Sequence, residues 1–326
     1  MGKIYGVRTP GKGSIRSVTE KAYESIGAEI KEFSSTLPVL QRNHIIYRKI
    51  PKFLENLESG DTAIIPSLDL AAGIKKPVKP QVVVVAHDIH TVTWRNGNSI
   101  SRRNKLKGIR NLSNCEKVIA LSKNTETDIF KFRKNKGMKD IKLETISQAF
   151  EKDKFYPEEK EPEQVELPEK YILYAGSLGS RKYPEFIINI AEETGRNLVI
   201  AGNLKQRKEE IQEYIENKGM KKQVQFTGYL SIKDLRRTYS NAGIYLHAAL
   251  FEGYGRTPVE AAACGTKPII PENTGCQPDL PVAETYNEWN TEKVAQLVQE
   301  NFGEKVEYQP KTWEDFAREL REVLKN

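Results

Sequence analysis

The sequence predicts an α/β protein made of two Rossmann-like, doubly wound domains with parallel sheets. Three observations lead there. Short apolar runs alternate with helical stretches through the first 150 residues, the mark of strands wrapped by helices. The same alternation restarts at Tyr171. Between them, Glu151–Lys170 (EKDKFYPEEKEPEQVELPEK) is charged, holds three prolines and few apolar residues, and reads as a linker.

Taken in order, Lys3–Val7 is the first expected strand and Ser14–Ile26 the helix after it. Ile30–Phe33 and Thr62–Pro66 are further strands. Val82–Asp88 is the clearest, because its run of four valines suits a strand buried on both faces. Val118–Ser122, a helix opening near Asn124, and Ile141–Ile146 complete the half. The second half continues with strands at Tyr171–Gly176, Asn197–Ala201, Val224–Phe226, Gly243–His247 and Lys267–Ile270. Helices are expected at Pro184–Glu193, Lys208–Lys218, Lys233–Asn241, Thr291–Asn301 and Trp313–Leu324. The expected organisation is residues 1–150, a linker at 151–170, a second domain at 171–310 and a terminal helix in 311–326.

At 326 residues the chain is long enough for two cores. No purely apolar run exceeds five residues, which excludes a membrane-spanning helix. No basic, apolar, small-residue leader opens the sequence, so a cytoplasmic protein is expected. Cys115, Cys264 and Cys276 are odd in number and widely spaced, which fits a reducing compartment and no disulfide framework. His44, His87, His90 and His247 lack the spacing of a metal site, and none is expected. Charge is lopsided: residues 1–150 carry 27 Lys+Arg against 14 Asp+Glu, the remainder 24 against 30. The first half is therefore expected to meet something anionic, whether a phosphorylated acceptor, a membrane surface or nucleic acid.

The most informative stretch is Phe251–Pro271, FEGYGRTPVEAAACGTKPIIP. Glu252 and Glu260 flank a turn in which Gly253 and Gly255 leave backbone N–H groups open. Thr257, Pro258 and Glu260 have the spacing of a helix start, with Thr257 as N-cap. Such a start attracts phosphate. On residues alone, Glu260 closing a capping box and Glu252 as a solvated loop carboxylate explain the pattern as well. Pro10–Ser14 (PGKGS) carries Gly11 and Gly13 between strand and helix, but lacks the third glycine of a dinucleotide fingerprint. An ordinary turn accounts for it equally. His87 ends the valine strand, where a satisfied histidine is the plain alternative to a functional one. Residues 94–117 interleave Arg95, Arg102, Arg103, Lys105, Lys107 and Arg110 with Ile100, Leu106, Ile109 and Leu112. That run suits a solvated helix face, an acceptor platform or a patch for anionic lipid.

The stretch EGYGRTPVEAAACGTKPII resembles the Glu-x7-Glu motif of retaining family 4 glycosyltransferases. YILYAGSLGSRK (Tyr171–Lys182) resembles the family's strand, G-x-L and following basic residue, with Ser177 where an arginine is common. VVVVAHD, VIALSKNT, VIAGN and FTGY resemble further family segments, so the likeness covers most of 171–280 and, more weakly, 1–150. The resemblance implies a GT-B fold, two Rossmann-like domains facing across a cleft, with the last helix crossing back toward the first. It implies that Glu260 binds the nucleotide ribose and that Glu252 contacts the donor sugar beside Gly253, Tyr254 and Gly255. Arg181 and Lys182 would neutralise the diphosphate, as a leaving group gaining charge requires. Tyr229 would border the base, Gly11 and Gly13 the diphosphate, and His87 the transferred sugar.

The expected activity is metal-independent, retaining transfer of a sugar from a nucleoside diphosphate sugar, with no cofactor. The acceptor is anionic or lipid-linked on this reading, with peripheral membrane contact through the basic first domain. Two alternatives remain: a non-catalytic nucleic-acid-binding or scaffold protein, and a nucleotide-sugar epimerase. Intact Glu252, Glu260, Arg181 and Lys182 speak against decay, and against nucleic acid as partner.

Overall fold

Two parallel six-stranded sheets, one in each of two units, carry the chain. The structure is a computed structural model that describes residues 2–8, 14–33, 41–93, 99–202 and 207–325. Unit 1 comprises Met1–Phe150 with Lys311–Asn326, and unit 2 comprises Glu151–Pro310.

In unit 1 the strands are β1 (Ile4–Arg8), β2 (Glu29–Glu32), β3 (Thr62–Ile65), β4 (Gln81–Ala86), β5 (Lys117–Ala120) and β6 (Leu143–Thr145). Their order is β2-β1-β3-β4-β5-β6, parallel throughout. The helices are α1 (Ser14–Ile26), α2 (Gln41–His44), α3 (Ile50–Glu55), α4 (His90–Thr93), α5 (Ser99–Asn111) and α6 (Lys123–Lys134). A π turn, Ile45–Lys49, joins α2 to α3. The valines of β4 work as the sequence suggests. Val82 and Val84 enter the core on one face and Val83 on the other, because side chains alternate along a strand.

Unit 2 repeats the plan with β7 (Ile172–Ala175), β8 (Leu198–Ala201), β9 (Val224–Gly228), β10 (Ile244–Leu246), β11 (Pro268–Pro271) and β12 (Glu284–Tyr286). Helices α7 (Pro184–Thr194), α8 (Lys208–Asn217), α9 (Ile232–Asn241), α10 (Arg256–Ala263) and α11 (Thr291–Asn301) cover it. The sheet order is β12-β11-β10-β7-β8-β9. Order reverses between β7 and β10, and parallel sheets of this kind take ligands beyond the strand C-termini at such a point. Ile172 and Tyr174 face one core, Leu173 and Ala175 the other.

The last helix, α12 (Trp313–Lys325), belongs to unit 1. Phe316, Ala317 and Leu320 recur at helical spacing and pack with Tyr23 and Ile26 of α1.

The stretch 151–170, expected as a linker between domains, is grouped with unit 2. Phe155 enters its core. Glu158 accepts from Arg236 and, at 3.0 Å, from Arg237 Nε, and Glu163 accepts from Arg237 at 2.9 Å. Asp234 accepts from the Glu163 backbone N–H at 2.6 Å. Glu158 and Glu163 thus meet the basic face of α9, while Asp153, Glu159, Glu161, Glu166 and Glu169 remain exposed. The run 99–111, read from charge alone, is the helix α5. Arg103, Lys107 and Arg110 are exposed on it, whereas Lys105 turns inward to Asp88 at 2.9 Å.

Candidate donor site at the switch point of unit 2

Two chain segments leave the sheet where its order reverses. After β7 the chain runs through Gly176 to Lys182, and after β10 through His247 to Glu252. They are zipped together: the Leu250 N–H donates to Arg181 O at 2.9 Å, and Arg181 Nη1 donates to Phe251 O. Tyr183 then turns the chain into α7 with φ 42°, a left-handed conformation rare outside glycine, and Pro184 begins the helix. Backbone strain beside Lys182 is held by packing, since the Tyr183 ring stacks on Phe186 at 5.5 Å.

Lys182 Nζ donates to Glu252 Oε2, and Arg181 Nη1 stands 3.3 Å from the same oxygen. Only 13% of the Lys182 side chain and 14% of Glu252 remain exposed, so little water screens the group. Burial pushes the Glu252 carboxyl up, but Lys182, His247 and Arg181 outweigh it and hold the group well below the usual carboxylate range. Burial pulls Lys182 down, with Glu252 opposing. Two cations thus share one carboxylate. The surplus is positive, and it sits where a parallel sheet accepts ligands.

The loop from Glu252 enters α10 through Gly255, whose φ of 91° excludes most side chains. The capping box expected at Thr257 does not form. Gly255 is the N-cap, α10 already starts at Arg256, and Thr257 Oγ1 lies 2.6 Å from the Tyr245 hydroxyl. This two-residue displacement of the start moves Glu260 off the capping position. Glu260 is buried instead, accepting from the Tyr239 hydroxyl at 3.3 Å and facing Arg256 Nε at 3.5 Å. Burial pushes its carboxyl above the ordinary value, against Arg256 and Tyr239. Glu252 is likewise no solvated loop carboxylate.

Gly275 braces the loop from below: a Cβ there would lie 1.8 Å from Gly253 O. Gly275→Ala should therefore displace the Glu252 loop and cost about 1–3 kcal/mol, read by thermal unfolding.

The structure brings Arg181, Lys182 and Glu252 into contact and places Gly253, Tyr254, Gly255 and Glu260 along the same loop and helix. Tyr254 is buried, and Tyr229 stands 76% exposed just past β9. His87 follows β4 in unit 1, half-buried, its Nε2 without a hydrogen-bond partner among the described residues. Gly11 and Gly13 lie outside the described residues, as does Arg95. Sequence reasoning missed His247 as a site residue. Fully buried, it puts Nε2 at 3.7 Å from Glu252 Oε2. Its only sequence signal was a histidine ending a strand five residues before Glu252. Arg256 was also missed, although its i,i+4 spacing to Glu260 was legible.

Residues 155–284 match the family model "Glycosyl transferases group 1". An uncharacterized glycosyltransferase of Methanocaldococcus jannaschii is 26% identical over 185 residues, covering 49% of this chain and 46% of that one. The mannosylfructose-phosphate synthase of Agrobacterium fabrum is 24% identical over 173 residues, covering 48% and 37%. The chain thus spans under half the length of these curated relatives. Among solved structures, Anabaena HepE in complex with UDP and glucose superposes with a TM-score of 0.75 at 13% identity, covering 100% of both chains. That likeness is one of fold, and the fold is GT-B. No helix among the described residues is long and apolar enough to cross a membrane.

Proposed function

We propose that this protein is a retaining glycosyltransferase that moves a sugar from a nucleoside diphosphate sugar to an acceptor, a reading supported by the match of residues 155–284 to the glycosyl transferases group 1 model. The observation that carries this reading is the excess of cation over carboxylate at Arg181, Lys182 and Glu252. As the glycosidic bond breaks, its electron pair passes to the diphosphate oxygen, and Lys182 and Arg181 neutralise the charge that develops. Lysine supplies a point charge and arginine a planar fork, the work a divalent metal does elsewhere. Metal independence follows as part of the proposal. Glu252, released by Lys182, accepts hydrogen bonds from sugar hydroxyls, and Glu260 accepts from the ribose. Solved HepE with UDP and glucose supports a nucleotide-sugar donor by analogy of fold.

Retention is assigned to same-face attack. The acceptor hydroxyl approaches the side from which diphosphate departs and gives its proton to the leaving phosphate. The acceptor is assigned to unit 1, whose net +13 is unchanged by the C-terminal segment, which adds four charges of each sign. An anionic or lipid-linked acceptor suits that charge, and so does contact with an anionic membrane surface. Donor hydrolysis followed by proton NMR tests the chemistry. The released sugar should first appear with the donor's anomeric configuration, at a rate unchanged by EDTA. Inversion would contradict the retaining assignment, and loss of turnover in EDTA the metal-independent one.

A further inference from the structure

We propose that His247 is a positioning residue for Glu252, donating from Nε2 at the end of a buried relay of contacts that runs Thr257–Tyr245–His247–Glu252. The functional part of this inference rests on the donor-site reading above; the relay itself rests on geometry alone. His247 is fully buried just past β10, and its backbone is pinned at both ends. Its N–H donates to Ile269 O at 2.9 Å, and its carbonyl accepts from the Tyr286 hydroxyl at 2.7 Å. Its ring stacks on Tyr245, centroids 6.3 Å apart. A ring held this firmly has its two nitrogens aimed by the fold.

Nδ1 lies 3.4 Å from the Tyr245 hydroxyl, which is 2.6 Å from Thr257 Oγ1. Nε2 meets no hydrogen-bond partner among the described residues, and Glu252 Oε2 stands 3.7 Å away. Hydroxyl protons rotate to suit their neighbours, so the carboxylate decides the direction of the chain. A bare Nε2 lone pair facing an ionised carboxylate is repulsive. The Nε2–H tautomer removes that repulsion and leaves Nδ1 as the bare nitrogen beside the Tyr245 hydroxyl.

The relay matters when Lys182 changes partner. Lys182 holds Glu252 in the geometry described here, and a diphosphate would draw that ammonium away. Glu252 then has a second donor in place. A movement of about 0.7 Å brings Oε2 to ordinary hydrogen-bond distance from Nε2. His247 therefore orients the carboxylate toward the sugar without touching substrate itself, in the way that outer groups fix the ligands of a site.

Two readouts test this. In 15N-labelled full-length protein, the imidazole nitrogens of His247, assigned by their loss in His247→Gln, should report the neutral Nε2–H tautomer at pH 7. Finding the Nδ1–H tautomer would overturn the relay, whatever the enzyme does. Binding is then measured for UDP, GDP and ADP and for their glucose conjugates. His247→Phe should weaken the sugar conjugate about tenfold more than the parent nucleotide, the worth of one charge-assisted hydrogen bond. His247→Gln, whose amide N–H reaches the place of Nε2–H, should restore most of that difference. Equal losses in both variants, or equal losses for nucleotide and conjugate, would make His247 merely structural and sink the proposal. If the wild type binds none of the six compounds, the donor-site reading fails, and the tautomer alone decides the relay.

Discussion

Lys182→Ala should lower kcat about 10²–10³-fold, the loss seen when one preorganised donor to a developing negative charge is removed. The prediction needs a control, because the same change leaves Glu252 with one cation fewer in a buried place. Removing one partner of a buried pair costs about 3–5 kcal/mol where no other charge compensates. Here Arg181, at 3.3 Å from the carboxylate, offsets part of that cost. The double variant Lys182→Ala, Glu252→Gln separates the two effects. It should recover thermal stability, since no buried charge is orphaned, and recover no activity. A double variant that regained turnover would show that Lys182 serves only to satisfy Glu252, and the diphosphate role would be lost.

Acid should destabilise the protein well before its carboxylates titrate. His247 is fully buried and His87 half-buried, and burial lowers both from 6.5 to about 4. A histidine with a depressed folded pKa binds fewer protons than its unfolded counterpart between those values. Its stabilising contribution is complete above pH 6.5 and is lost as pH falls toward 4. The shift corresponds to about 3 kcal/mol for each histidine. Glu252 has the same sign but acts lower, below the ordinary carboxylate value of 4.5. Glu260 has the opposite sign: with its folded pKa raised, its contribution is lost as pH rises. Urea unfolding at pH 7, 5.5 and 4 should show the decline. His87→Gln should flatten it for unit 1 and His247→Gln for unit 2. An unchanged slope in both variants would mean that neither imidazole is held neutral by burial.

Much of this architecture was legible because it depends on short-range pattern. The valines of β4 could only suit a strand buried on both faces, and the helical spacing in α12 could only pack one face. The donor-site candidates were legible for a different reason, the resemblance carried by Glu252, Glu260 and the Arg181-Lys182 pair. What the sequence hid depends on contacts distant along the chain. Glu158 looked solvated because Arg236 and Arg237, its partners, come some 80 residues later. The capping box failed because the helix starts two residues earlier than Thr257 suggests, with Gly255 as N-cap in the left-handed conformation that glycine adopts most readily. His247 was invisible because nothing in a lone histidine says which carboxylate its ring will face.

The central claim is that Arg181, Lys182, Glu252 and Glu260 form a nucleoside diphosphate sugar site. Calorimetric titration with UDP, GDP and ADP and their sugar conjugates, on wild type and on Glu260→Ala, tests it most directly. The account predicts that one nucleotide series binds and that Glu260→Ala weakens it at least about tenfold, the worth of a buried hydrogen bond to a charged group. Binding of none by the wild type, or equal binding by the variant, would contradict it.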